Sequence, residues 1–367
     1  MKLIKKTKVM CGLFLIILIV GCGDEGMNQE PFARRNHTVV DMSQLNIETN
    51  FVEIFPQLGS GNGSCSEIRG AVALGIREVH NPGLIDYEPE SGFMQINLET
   101  PQDIITISGI NFCYIDRPFL LKVFYNYEEI PFRIVGVEEY DTGFVFELEA
   151  GHDINIPIQL YEGLEVNDYL NVLTIGLFPE PGHHAMNDDG WTINNMFGSM
   201  WNFAVSYGGN EEIDLGITSY VTPTQLEIEL GGLNINQDEE EYIMGHGGVF
   251  NMPGEFLQVT SGEVVELHFH FNTHLFVSEF GMTEYLLMSM LNWQQIDMNG
   301  QPYLLFEARP ESSFYVTDRG TFTIVAPEEA GFYEFKTFIV PNPTSIHDEL
   351  HMWEIIFSFP FTLEVVE

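Results

Sequence analysis

The sequence is poor in positive charge. Its 367 residues hold 14 Lys and Arg against 54 Asp and Glu. Four of those lysines (Lys2, Lys5, Lys6, Lys8) fall in the first 21 residues, which carry no acid. The rest therefore sets ten bases against 54 acids, a formal charge of −44. A surface that negative repels phosphate backbones and anionic headgroups, so nucleic acid is excluded as a partner. Cysteine is scarce too: there are four, with no CxxC and no Cys/His zinc spacing, which leaves cysteine-based metal chemistry without a motif. Nucleophile signatures are missing, since neither G-x-S-x-G nor H-E-x-x-H occurs. The glycines of Gly59–Ser64 lack the Lys-Ser/Thr of a phosphate-binding loop and signify backbone freedom alone. With 54 carboxylates, no chosen acidic pair argues for glycosidase chemistry. What is present is core material: 45% hydrophobic and 13% aromatic residues, too much for a disordered acidic chain and enough for two or three domains.

The amino terminus reads as an export signal. A basic segment through Lys8 precedes an apolar run from Val9 to Val20, too short to span a bilayer comfortably, and then Ile19-Val20-Gly21-Cys22. This resembles the lipobox of bacterial lipoproteins, in which a small residue precedes a cysteine that is diacylated before cleavage. The resemblance implies that residues 1–21 are a signal peptide and that Cys22 is the lipidated first residue of the mature chain. Two acyl chains suffice for stable anchoring, so the expected location is the membrane, on its extracytoplasmic side. Residues 22–50 then read as a polar, lipidated tether. Once the signal and Cys11 are removed, Cys65 and Cys113 remain, and an even pair in an exported chain invites a disulfide.

Downstream the chain repeats itself. Phe124–Ile130 matches Met290–Ile296, Phe146–Ala150 matches Phe306–Pro310, Gly176–Pro181 matches Phe338–Pro343, and Met200-Trp201 matches Met352-Trp353, in the same order. Both copies read as β. Apolar residues alternate with polar ones in Phe144–Leu148, Ile154–Ile158, Gln225–Leu230, Val264–Phe271, Thr321–Val325 and Phe332–Phe338, with turn residues between. Met282–Gln295 has a helical look, but its partner segment alternates, so it too is read as strand. Gly331–Phe335 resembles the penultimate strand of immunoglobulin-like domains, whose Tyr packs at a corner, with Phe359–Val366 as the last strand. The expected fold is all-β: two tandem duplicated immunoglobulin-like β-sandwich domains, residues 51–210 and 211–367, behind the tether. That architecture hosts many functions and brings no activity with it.

Four sets of residues are candidates for chemistry. Gly262–His270 resembles the first half of the cupin metal motif, a glycine followed by His-x-His, which would let His268 and His270 share a metal with His274. The family's glutamate and second motif are absent, and the plain alternative is that both histidines face solvent between inward Leu267, Phe269 and Phe271. Asp238, Glu239, Glu240 and Glu241 follow Asn234–Gln237 between the copies; they offer calcium the oxygen ligands it prefers, or form a solvated acidic loop. No cofactor is expected from the sequence, with calcium as the alternative this run offers. The loop Pro181–Asp189, with His183, His184, Asp188 and Asp189, is matched by Thr344–Glu349, and it reads as a binding edge or an inherited turn. Trp191 has no counterpart and is the better aromatic surface candidate for sugars, whereas Trp201 and Trp353 suit a core. The function expected is a non-catalytic binding or scaffold module anchored to the envelope, taking protein or polysaccharide. The alternatives are a metal-dependent or carbohydrate-active enzyme using the three histidines, and a calcium-stiffened adhesion rod.

Overall fold

A computed structural model of the chain describes residues 37–45, 47, 49–51, 72–87, 94–111, 116–166, 170–179, 181, 198–207, 220–221, 224–227, 242–244, 256–271, 281, 283–308, 316–344, 355–357 and 361–367. Apart from one short 3-10 turn at Met42–Leu45, the regular elements among these are all strands. The first sandwich contains β1 (Thr38–Val39), β2 (Thr49–Phe51), β3 (Val72–Arg77), β4 (Ile85–Tyr87), β5 (Met94–Asn97), β6 (Ile105–Asn111) and β7 (Arg117–Tyr125). It continues with β8 (Glu128–Glu129), β9 (Phe132–Ile134), β10 (Gly143–Leu148), β11 (His152–Leu160), β12 (Asn171–Pro179) and β13 (Ser199–Ser206). The second contains β14 (Tyr220–Val221), β15 (Thr224–Glu227), β16 (Tyr242–Met244), β17 (Phe256–Thr260), β18 (Val264–Phe271) and β19 (Glu284–Leu291). Then follow β20 (Gln294–Ile296), β21 (Tyr303–Glu307), β22 (Val316–Val325), β23 (Gly331–Pro341), β24 (Ile356–Phe357) and β25 (Phe361–Val366). The segment with a helical look is therefore strand β19, because its methionines and leucines fill both faces of a strand buried on both sides.

Each sandwich pairs a large sheet with a smaller one. In the first, the large sheet runs β1-β10-β7-β12-β13-β5-β4 and the small one β2-β11-β6-β3. In the second the orders are β14-β21-β19-β23-β25-β17 and β15-β22-β18-β16. The correspondence extends to strand direction, since β1 lies parallel to β10 as β14 does to β21, and β5 parallel to β13 as β17 does to β25. Alternation places one face of each sheet in its own core. Ile105, Ile107, Phe119, Leu121, Phe144, Phe146, Ile154 and Ile156 meet in the first; Leu267, Phe269, Tyr285, Leu287, Phe322, Ile324, Phe335 and Leu363 meet in the second. Tyr333, on the penultimate sheet segment, donates its hydroxyl back to the carbonyl of Glu329 at 2.9 Å, the corner contact expected of that strand.

One boundary differs from the sequence reading, and so does the place of the acidic run. β1 and β2 pair within the first sandwich, so it begins ahead of Phe51 and takes in residues assigned to the tether. At the other end of the first copy the bounds need no change, and β14 and β15 pair within the second sandwich, with β21 and β22. The acidic run 238–241 thus falls inside the second copy's sequence, after β15, and not between the copies.

Sheet register also tests the repeat residue by residue. The β7–β12 and β19–β23 pairings bring Phe124 to Thr174 and Met290 to Lys336, which makes the first and third sequence matches structural equivalents. The β10–β7 and β21–β19 pairings do the same for Phe146 and Phe306. The fourth match fails. Met200 lies opposite Gly176, but Phe357 lies opposite Phe338, the counterpart of Gly176. Met200 therefore corresponds to Phe357, and the Met-Trp dipeptides are not equivalent.

Candidate functional site

The large sheets of the two sandwiches pack against one another through their outer faces. Leu120, Phe124, Tyr127, Val172, Phe178 and Met200 of the first meet Leu286, Met288, Met290, Trp293, Phe338 and Val340 of the second in a third apolar cluster. At its centre are two equivalent hairpins. Asn126-Tyr127 and Asn292-Trp293 occupy the two turn positions with φ of 50° and 64°, and 46° and 65°. That is the left-handed pair a two-residue hairpin requires. Asparagine tolerates it, and each side chain ties its turn to the next strand: Asn126 Oδ1 accepts from Val172 N–H at 2.9 Å, and Asn292 Oδ1 from Glu334 N–H at 2.7 Å. A bulky aromatic in this region is strained. The seam offsets that strain. Tyr127 Oη donates to the carbonyl of Pro343, and Trp293 Nε1 to that of Pro181, both at 3.0 Å. Those prolines are themselves equivalent. Beside them Glu129 N–H donates to Gln295 Oε1 at 2.6 Å, and Gln295 N–H to Glu129 Oε2 at 2.7 Å. The contacts are reciprocal between equivalent positions, as at the interface of a two-fold dimer, but within one chain.

Charge is buried in this seam as two pairs at non-equivalent places. Lys122 meets Glu129 at 2.5 Å, both side chains almost wholly buried. Lys336 meets Glu334 at 2.5 Å and lies 3.4 Å over the Trp293 ring. Burial alone would raise the Glu129 carboxyl, yet Lys122 and the Gln295 N–H hold it below its ordinary value. For Lys336 burial wins over Glu334, and its pKa is lowered. Burial, with Tyr303 adding repulsion, drives the Tyr127 phenol far above the usual tyrosine range.

A polar and aromatic surface stands at one end of the first sandwich. In the second sandwich, Met298 and Gln301 exchange backbone hydrogen bonds across Asn299-Gly300. In the first, Phe132 and Asp141 make the same exchange across residues 133–140, an insertion of six residues. The insertion contributes β9, whose Ile134 enters the core, and also Arg133 and Tyr140. Arg133 Nε donates to Gln159 Oε1 at 3.0 Å and Nη2 to Gln102 Oε1 at 3.4 Å, and its guanidinium lies 5.1 Å over the Tyr140 ring. Tyr140 in turn meets Tyr161 edge to face, centroids 5.5 Å apart, and Tyr161 is 41% exposed. The Tyr161 ring covers Gly163, where any Cβ would meet it at 2.6 Å.

Of the residues singled out from the sequence, His268 is described. It lies between core residues Leu267 and Phe269, so alternation turns it to the outward face of the small sheet. Its side chain is 30% exposed and its Nε2 stands 3.8 Å from Glu266 Oε1, which fits the solvent-facing reading of this strand. His270 lies on the same strand. His274, Cys22, Cys65, Cys113, His183, His184, Asp188, Asp189, Trp191, Trp353 and Asp238 to Glu241 lie outside the described residues. Trp201 packs part-buried against the first core, with Nε1 donating to Ser199 Oγ at 2.9 Å. Sequence reasoning missed the seam's charges and the platform at Arg133. The second had a signal: the spacing between equivalent residues drops by six between Phe132 and Gly143, which marks an insertion in one copy.

No protein-family model matches the chain, and no curated protein matches it. Solved structures similar to it include the Escherichia coli chaperone DraB, 10% identical with a TM-score of 0.22, covering 81% of this chain and 97% of that one. The Salmonella enterica SafA pilin in complex with the SafB chaperone is 12% identical with a TM-score of 0.22, over 80% and 96% of the chains. The C-terminal domain of the Streptococcus pyogenes antigen I/II-family protein AspA is 8% identical with a TM-score of 0.20, over 80% and 98%. Likenesses this distant carry no argument about function.

Proposed function

We propose that the protein is a lipid-anchored, non-catalytic binding or scaffold module of the cell envelope, held to the membrane through Cys22 and facing the extracytoplasmic side. The observation that carries the binding role is the reciprocal seam. Two sandwiches locked face to face make one framework, the kind of scaffold whose end loops carry binding. Two buried ion pairs, Lys122–Glu129 and Lys336–Glu334, belong to that framework. The seam also bears on the rod reading. Sandwiches joined sheet to sheet do not extend end to end, and the acidic run follows β15 within the second copy's sequence, so the seam favours a framework over a rod. The lipid anchor rests on the lipobox resemblance and the negative surface on composition; a strongly acidic exterior stays hydrated and soluble.

The test is retention of the full-length protein, purified in detergent, on isolated envelope material of its own organism, in calcium and in chelator. Retention in both conditions is the expected result. Retention in calcium alone would return attention to Asp238–Glu241, and no retention in either would defeat the reading. Cys22→Ala should move the protein out of the membrane fraction; if it stays, the anchor is not at Cys22.

A further inference from the structure

We propose that Tyr161, Tyr140 and Arg133 form a binding platform for a neutral, hydroxyl-rich glycan, a site within the envelope-binding reading above and resting on it. The insertion is the first argument. The second sandwich closes the same hydrogen-bonded pair, Met298 with Gln301, through two residues. The first spends six more and uses them to place a cation and an aromatic ring beside Tyr161. Its fold does not require them for closure.

The chemistry of the platform is the second argument. Arg133 is one of ten bases left after the amino-terminal segment, among 54 acids. Of its five N–H donors, Nε and one on Nη2 are engaged by Gln159 and Gln102, and the others have no protein acceptor among the described residues. Those two amides and the Tyr140 ring fix the guanidinium in place, so little entropy is lost when a ligand meets it. Gln102 is fixed in turn, accepting from Tyr140 Oη at 3.2 Å and donating Nε2 to the Leu160 carbonyl at 2.6 Å. Beside this ordered donor stands the exposed ring of Tyr161, braced by Tyr140 and seated on Gly163. A part-exposed aromatic ring in the same cluster as a planar guanidinium fork suits a sugar ring, whose C–H face stacks while its hydroxyls accept. The charge of −44 beyond residue 21 disfavours a polyanion, so the glycan is neutral.

The experiment measures binding of the full-length protein in detergent to two probes: neutral polysaccharide released from the envelope of its own organism and freed of protein, and the intact envelope material. Expected is saturable binding to the polysaccharide that falls on the order of tenfold in Tyr161→Ala, survives in Tyr161→Phe, and falls in Arg133→Lys, which keeps the charge and loses the fork. Tyr161 is exposed, so an unchanged melting temperature separates loss of binding from loss of fold. Polysaccharide binding unaffected by Tyr161→Ala would overturn the site while leaving the envelope role intact. Binding to envelope material alone, abolished by protease, would identify a protein partner and overturn the glycan. Binding to neither probe would overturn both.

Discussion

Where the first sandwich carries Lys122 and Glu129 on its seam face, the second carries Met288 and Gln295; where the second carries Glu334 and Lys336, the first carries Val172 and Thr174. Duplication would have begun with identical faces. Two identical faces would oppose Glu129 to another glutamate across the pseudo-two-fold, an arrangement of like charges close together and out of water. Gln295 replaces that repulsion with a side-chain amide whose oxygen accepts the Glu129 N–H, while the Gln295 backbone N–H serves the Glu129 carboxylate. The divergence thus favours pairing of unlike copies, which the chain supplies within itself, over pairing of like copies between chains. Bulk has been exchanged in the same spirit. Phe178 lies over Gly176, whose added Cβ would meet it at 2.5 Å; in the second copy the large residue is Phe338, at the position of Gly176, with Val340 at that of Phe178.

The largest effect should come from the residues in which the copies still agree. Trp293→Ala and Tyr127→Ala each remove a buried ring and its hydrogen bond, and each should cost about 3–5 kcal/mol. Urea unfolding followed by tyrosine and tryptophan signals should show one transition in the parent and two in these variants, as the sandwiches uncouple. If one substitution proved mild, the seam would be less reciprocal than its hydrogen bonds indicate. The buried pairs come next. Lys122→Met alone leaves the buried Glu129 carboxylate without its counter-charge and should cost about 3–5 kcal/mol, whereas Lys122→Met with Glu129→Gln copies the second sandwich and should be near neutral. An equal loss in both would mean that the copies have not diverged interchangeably at this position.

The seam explains which parts of the repeat were readable. Two of the three matches that held, Phe124–Ile130 and Gly176–Pro181 with their partners, are the hairpin and strand that face each other across it. Their spacing is locked by register and by the two turn positions, so no insertion has entered. The match that failed depended on a dipeptide at a place where register is not kept. β13 runs unbroken beside β12, but β24 and β25 meet β23 in registers that differ by one residue, so no constant spacing joins that region to its counterpart. The outward face of His268 was legible from alternation alone. The acidic run was misplaced because β14 and β15 are too short to announce themselves. Arg133, Gln102 and Gln159 come together from three separate segments, and only topology joins them.

Two smaller effects sharpen the comparison. Gln295→Glu restores the like-charge pair and removes the donor that serves the carbonyls of Tyr127 and Pro302, so it should cost about 1–3 kcal/mol at neutral pH. Opposed carboxyls have raised folded-state pKa values, so part of that penalty should be recovered as pH falls and they protonate. A denaturation midpoint insensitive to pH in this variant would place the two side chains further apart than their shared hydrogen bonds imply. Lys336 gives the opposite sign. Its folded-state pKa is lowered, so up to about pH 10 the unfolded chain holds more protons and stability should rise with pH. In Lys336→Met that rise should vanish, and a slope unchanged from the parent would assign it to another group.

The smallest effect concerns the turn by which the copies differ most. Asn299 and Gly300 close the second sandwich's hairpin with φ of 54° and 73°, and the space around Gly300 is open. Gly300→Ala therefore introduces no clash, and its whole effect is the strain of a side chain in the left-handed region, about 1–2 kcal/mol. The first sandwich escapes this requirement by running through residues 133–140, where Ile134 supplies core contacts that a two-residue turn lacks. Gly136 within that insertion also has positive φ, 101°, and its Cβ would meet Leu45 at 3.1 Å, so Gly136→Ala should cost somewhat more. Paired melting curves decide between them. A neutral Gly300→Ala would mean that the short turn relaxes freely, and the insertion would then relieve no strain and owe its presence to the platform it carries.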